Sequence, residues 1–141
     1  DVILNHNRYT LLNREADAMY DLAASKGTAI INAAPFAGGI LAKGPKTTSK
    51  ITYREASTQA LEPVHKIERL CADFNVEMGA AALQFSLRDD RIASTLCGVT
   101  SPQSIDKTLA WAKQEIPKEF WQQIAKLPYS SENPEANRSI V

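Results

Sequence analysis

A chain of 141 residues is long enough for one domain of ordinary size. Its 16 basic and 16 acidic residues cancel, and no block of like charge stands out, so electrostatic nucleic-acid binding gets no support. Apolar residues make up 44%, ordinary for a soluble globular protein, yet no apolar run approaches the roughly 20 residues that span a bilayer.

The chain opens at Asp1 without methionine and enters "DVIL" at once; Val2 to Leu4 reads as a strand. No signal peptide accounts for that start, and the expectation is a C-terminal piece of a larger protein. "NREADAMYDLAASKG" reads as a helix with Asn13 as N-cap, acids in its first turn, and Lys26 then Gly27 at its end. "TAIIN" is short and β-branched without alternation, as in a strand buried on both faces. Residues 43–52 read as a polar loop. "ALEPVHKIERLCADF" reads as a helix with Pro63 in its first turn and a stripe of Val64, Ile67, Leu70, Cys71 and Phe74. Another helix is expected in "MGAAALQFSLRDD", then a strand in "ASTLCG". "SPQSIDKTLAWAKQ" carries Ser101 as N-cap and Pro102 at the first helical position, and "PKEFWQQIAKL" repeats that start at Pro117. The tail from Pro128 reads as polar and mobile.

Strands alternating with helices predict an α/β fold of parallel strands joined by right-handed crossovers. Three parallel strands leave two edges open, which again suggests a missing part. Cys71 and Cys97 lie 26 residues apart with no paired spacing. That argues against a zinc site or a disulfide scaffold, and for two buried, reduced thiols in a cytoplasmic protein.

Two stretches carry chemistry. "NAAPFAGGILAKGP" leaves the second strand with small residues crowded around Pro35 and Phe36. Ligands of α/β folds lie at the C-terminal ends of parallel strands, where small side chains let a ligand approach the backbone. Gly38 and Gly39 can take positive φ and turn N–H groups toward phosphate oxygens. Close helix–strand packing around a tight turn accounts for the same residues. "CGVTSPQSIDKT" leaves the third strand, with Gly98 freeing the backbone, hydroxyls at Thr100 and Ser101, and a helix N-terminus at Pro102. Two such strand ends in adjacent βα units imply an extended ligand with more than one phosphate.

Four segments in this order resemble the aldo-keto reductase superfamily: "RYTLL" (8–12), "NAAPFAGGILAKG" (32–44), "AALQFSLRDDRIASTLCGVTSPQSI" (81–105) and "IPKEFWQQIAKL" (116–127). Among its members, "RYTLL", "APFAGGILA" and "FW" look closest to sugar dehydrogenases of the L-galactose, D-threo-aldose and L-fucose type. The resemblance implies an α/β fold that is the C-terminal part, strands six to eight with their helices, of a TIM-type (β/α)8 barrel. Residues 1–127 form that part and 128–141 a polar C-terminal tail that resembles the family's variable substrate-covering segment, with Tyr129 or Arg138 as candidates to reach substrate. It further implies NAD or NADP as cofactor, and a sugar or aldehyde substrate. The family's catalytic Asp, Tyr, Lys and His lie in the first half, so no catalytic residue is assigned in this chain, and the chain alone is expected to be inactive.

The cofactor-binding residues implied are His6, Ala33, Pro35, Phe36, Gly38, Gly98, Val99, Thr100, Ser101, Ser104, Lys107 and Thr108. His6 stands where many members carry a glutamine that bonds the nicotinamide amide. Ala33 replaces a tyrosine that stacks on the nicotinamide. Ser104 replaces an arginine on the 2′-phosphate, and Gly98 a lysine, with Lys107 a partial substitute. The loss of an always-charged bidentate partner leans toward NAD, or dual use. Trp111 and Trp121 are read as peripheral packing, and His65 as a solvated side chain. The competing expectations are a non-enzymatic cofactor-binding module and a small α/β protein that pairs its open strands with a second copy.

Overall fold

Three strands, β1 (Val2–His6), β2 (Ala29–Ala33) and β5 (Ile92–Leu96), form a parallel sheet in the order β1-β2-β5. The computed structural model describes residues 1–136. Helix α1 (Asp17–Ser25) connects β1 to β2. The connection from β2 to β5 is longer. It holds a tight turn at Ala37–Gly39, the short helix α2 (Ile40–Lys43), a hairpin of β3 (Lys50–Ile51) and β4 (Arg54–Glu55), then helices α3 (Thr58–Asp73) and α4 (Met78–Leu87). Helices α5 (Pro102–Lys113) and α6 (Lys118–Ile124) follow β5.

The register pairs Leu4 with Ile31, Ile31 with Ser94, and Ala33 with Leu96. These residues share one face of the sheet, which is open: Val2, Leu4 and Leu96 are 60%, 58% and 47% exposed. The opposite face takes the helices and buries Ile30 and Asn32 completely. A buried amide needs partners, and Asn32 has them on both sides. Its Nδ2 donates to the Tyr9 carbonyl (3.0 Å) and Ser86 Oγ (2.8 Å), and its Oδ1 accepts from the Tyr20 hydroxyl (3.0 Å). This network ties β2 to α1 and α4 through one side chain. The larger core lies beside it, where Ile40, Leu41, Val64, Ile67 and Phe120 are all but fully buried.

At the start of β5, Arg91 gathers Asp17 (2.7 Å), Asp21 (2.6 Å) and Asp89 (2.6 Å) and clamps that strand to α1. Burial opposes ionisation of Asp89. Hydrogen bonds from Arg91 and Tyr9 outweigh it and hold the carboxyl down to about 2.

Five local expectations are corrected. Asn13 does not cap α1: the helix starts after Ala16, and the Asn13 Oδ1 accepts from the Glu15 N–H in an Asx turn (2.9 Å). Helix α3 starts after Ser57, whose hydroxyl accepts from the Ala60 N–H, so Pro63 sits inside the helix rather than in its first turn. Pro117 is the N-cap of α6, not its first residue. The polar loop of residues 43–52 contributes β3 to a hairpin. The tail through residue 136 is docked: the Ser130 N–H donates to the Leu12 carbonyl (2.9 Å), and the Arg14 N–H to the Ser130 carbonyl (2.8 Å). By contrast α5 begins as its sequence predicts, with Ser101 as N-cap and Pro102 next.

Candidate functional site

Parallel strands bring three C-terminal ends, His6, Ala33 and Leu96, to one edge of the sheet. Beyond the last two lies a cavity of about 520 Å³, within the range of small-molecule sites. Both stretches singled out in the sequence line it. From the first come Phe36 and Gly38; from the second come Gly98, Thr100, Ser104, Lys107 and Thr108.

The geometry says why the first stretch is small. Ala34, Ala37, Gly38 and Gly39 all have positive φ, so the chain reverses sharply after β2. A Cβ on Gly38 would stand 2.9 Å from the Tyr53 nitrogen and 3.0 Å from the Thr52 nitrogen. What comes so close is the chain itself: the tip of the β3–β4 hairpin, whose Thr52 N–H donates to the Ala37 carbonyl (3.0 Å). Gly98 is the opposite case. A Cβ there would meet nothing within 4 Å, so its backbone faces open space on the cavity wall.

The hydroxyls at the start of α5 are engaged in the cap. Ser104 Oγ accepts from the Thr100 and Ser101 N–H groups (3.0 Å each) and donates to the Ser101 carbonyl (2.7 Å). Ser101 Oγ accepts from the Ser104 N–H, completing a capping box. Thr108 donates to the Ser104 carbonyl (2.7 Å). Of these, Ser104 and Thr108 line the wall and Ser101 does not, while charge at the cavity comes from Lys43 and Lys107. The Lys107 ammonium is 3.8 Å from Glu77 and 4.9 Å from the Trp111 ring centroid, so it is held in place.

Trp111 corrects the sequence reading. It is 6% exposed and packed in the core, yet it also lines the cavity, edge-on to Phe36 with ring centroids 5.6 Å apart. Its Nε1 donates to Glu77 (2.8 Å), and Gln84 donates to its carbonyl (2.7 Å). The signal was present: residues 104, 107, 108 and 111 follow helical spacing and share one face. Lys43, inside the first stretch but not singled out there, and Tyr53, which no local pattern marks, also line the cavity. Trp121 is half-buried against Phe120 with the Arg88 guanidinium 4.2 Å above its ring. His65 is 3.5 Å from Glu68 on the surface of α3.

The remaining candidates lie off the cavity. Ala33 and Pro35 are buried beneath it, and Val99 is exposed beside it. His6 stands at the end of β1, its ring stacked on Tyr53 at 6.3 Å between centroids. Its Nδ1 is 2.9 Å from Glu135 in the docked tail. Hydrogen bonds from Asn7 and His6 outweigh burial and lower the pKa of Glu135. Tyr129 lies under Arg14, whose guanidinium carbon is 5.0 Å from the ring centroid; Arg138 is outside the described residues. Among the described residues no group of three metal-ligating side chains occurs, and no helix is long and apolar enough to cross a membrane.

The lining suits an anionic aromatic ligand: two cations, three aromatic side chains and an open glycine backbone around one cavity. The family model for Aldo/keto reductase matches residues 1–128. Pyridoxal 4-dehydrogenase of Microbacterium luteolum is 34% identical over 122 residues, which are 86% of this chain and 36% of that protein. D-threo-aldose 1-dehydrogenase of a Pseudomonas species is 29% identical over 128 residues, 89% of this chain and 39% of that protein. The chain therefore spans well under half the length of these relatives. Aldo-keto reductase AKR11C1 from Bacillus halodurans, in apo and holo forms, superimposes with a TM-score of 0.70 at 19% identity, over 98% of this chain and 46% of that one. The shared fold and the match along nearly the whole chain lead to one conclusion: this chain belongs to the aldo/keto reductase family.

Proposed function

We propose that the protein bearing this chain is an NAD(P)-dependent oxidoreductase acting on sugars or related aldehydes. In this reading residues 1–127 form strands six to eight of its barrel and one wall of its cofactor site. The observation that carries it is that two separate strand ends deliver Phe36, Gly98, Lys107 and Trp111 to one cavity. Both relatives above are dehydrogenases by name, which supports the reaction class. The bound nicotinamide supplies the hydride acceptor or donor.

The residues of this chain bind and orient. Phe36 and Trp111 offer flat apolar walls to an adenine ring. Lys43 and Lys107 neutralise phosphate, and Gly98 lets it approach the backbone. Preference between dinucleotides follows from charge. Among the described residues no arginine lines the cavity, the Ser104 hydroxyl is engaged in the cap, and Lys107 is shared with Glu77. A 2′-phosphate gains little here, so NAD is favoured or used equally. No group of this chain is assigned to proton transfer at the substrate, and the chain alone is expected to turn nothing over.

Trp111 makes the test direct. Titration of the chain with NAD⁺ and NADP⁺, followed by tryptophan fluorescence, is expected to show saturable binding with NAD⁺ at least as tight. Lys107→Ala is expected to weaken it roughly tenfold, the scale of one charge-assisted contact. No saturable response to either dinucleotide would leave a structural module as the better reading.

A further inference from the structure

We propose that Glu135, carried by the docked C-terminal segment, is a positioning residue that holds the His6 imidazole with its proton on Nδ1, making Nε2 a hydrogen-bond acceptor for a neutral N–H or O–H group of a bound ligand. The resemblance stated above places His6 at a cofactor position, but neither it nor the relatives' names assign a role to Glu135 or a tautomer to His6.

The local sequence makes the segment dock. Three hydrogen bonds tie residues 130–132 to the loop after β1, and a fourth within the segment orients Glu135. The Ser130 N–H donates to the Leu12 carbonyl (2.9 Å), and the Ser130 carbonyl accepts from the Arg14 N–H (2.8 Å). The Asn13 amide donates to the Glu132 carbonyl (2.9 Å), and the Glu135 N–H to Asn133 Oδ1 (2.9 Å). The Glu135 side chain then lies 15% exposed against the end of β1. Its Oε1 is 2.9 Å from both His6 Nδ1 and Asn7 Nδ2.

Two neighbours of Nδ1 compete for the tautomer. Asn7 Nδ2, 3.1 Å from Nδ1, would suit a lone pair there, while Glu135 Oε1 at 2.9 Å would suit a proton. The carboxylate carries the full charge and the amide already donates to that same oxygen at 2.9 Å, so the proton is assigned to Nδ1. Asn7 is itself fixed: it is 1% exposed, holds φ +62°, and its N–H donates to the Ala33 carbonyl (3.2 Å). The Tyr53 ring lies 13° from parallel with the imidazole, with 6.3 Å between centroids. Nε2 has no partner among the described residues, and the His6 side chain is 36% exposed, so a ligand can reach it.

A neutral imidazole in this tautomer cannot donate through Nε2. It selects a carboxamide NH₂ or a hydroxyl and disfavours a bare carbonyl or a methyl. On the cofactor reading above, on which this part rests, the donor is the nicotinamide carboxamide.

The test uses the chain labelled with ¹⁵N-histidine at about pH 8.5, above the ordinary imidazole range. Only two histidines are present, and His65→Asn assigns them. The expected spectrum places the His6 proton on Nδ1 with Nε2 unprotonated, and Glu135→Ala moves the proton mainly to Nε2. A wild-type His6 protonated on Nε2 overturns the proposal, and so does an unchanged tautomer in Glu135→Ala. Addition of NAD⁺ is expected to shift Nε2, while the acetylpyridine analogue, with methyl in place of NH₂, binds roughly fivefold more weakly and leaves it unmoved. NAD⁺ that perturbs residues 98–111 without moving Nε2 overturns the ligand half alone. NAD⁺ that perturbs neither overturns the cofactor reading with it, while the tautomer result still judges Glu135.

Discussion

Arg91 shows how much one side chain decides. It answers three aspartates from α1 and the turn before β5, and its own attraction to protons is raised, first by the Asp89 hydrogen bond. Arg91→Leu is expected to cost about 2–3 kcal/mol, because Asp89 stays only 13% exposed and loses its charged partner, keeping only Tyr9 and a backbone N–H. Urea denaturation at neutral pH reads this directly. The same carboxyl gives the acid limb its shape. Its folded value of about 2 lies below the ordinary 3.8, so the folded state gains when Asp89 is ionised. That gain, of order 1–2 kcal/mol, is complete above about pH 4 and is lost as pH falls through about 2. Asp89→Asn is expected to flatten the stability curve in that window and lower the plateau above it.

At the scale of elements, α4 and α5 approach so closely that Gly79 has no room for a methyl group. A Cβ there would stand 2.4 Å from the Trp111 ring. Gly79→Ala is expected to destabilise by about 1–3 kcal/mol, and to move the indole that lines the cavity. A lower urea midpoint with altered Trp111 fluorescence checks it, and Gly79→Ala with Trp111→Phe is expected to recover part of the loss.

Local rules made some elements legible and left others hidden. Strand β2 is marked by Ile30 and Ile31, and α5 by Ser101 before Pro102, because β-branching and capping act over a few residues. The β3–β4 hairpin was invisible: Thr52 and Tyr53 take φ of +48° and +70° without glycine or asparagine, held where Thr52 docks on Ala37. A tertiary contact chose that turn against local preference. Pro63 reads as a helix start, but Ser57 offers a cap six residues earlier and the helix accommodates the proline. The cavity followed from the two strand ends. The Glu135–His6 contact did not, since 129 residues separate its partners and no periodicity links them.

The whole molecule is a sheet with one finished face. Helices cover the side of Ile30 and Asn32, while Val2, Leu4 and Leu96 remain open on the other, and each outer strand pairs on one side only among the described residues. Open edges and exposed apolar surface favour association. The chain studied alone is expected to self-associate with rising concentration in light scattering; a monomer throughout the accessible range would contradict this.

The order of the sheet also sets an order of assembly. Strands β1 and β2 meet across the single helix α1, whereas β2 and β5 meet across everything from residue 34 to residue 91. Closing the longer loop costs roughly 1 kcal/mol more in chain entropy. The β1–α1–β2 unit, which holds the Tyr20–Asn32 contact, is therefore expected to form first. The cavity needs both strand ends, so it exists only after the slow pairing is made. On that order, the cavity is the last part of the chain to take shape and the first to be lost when β5 detaches.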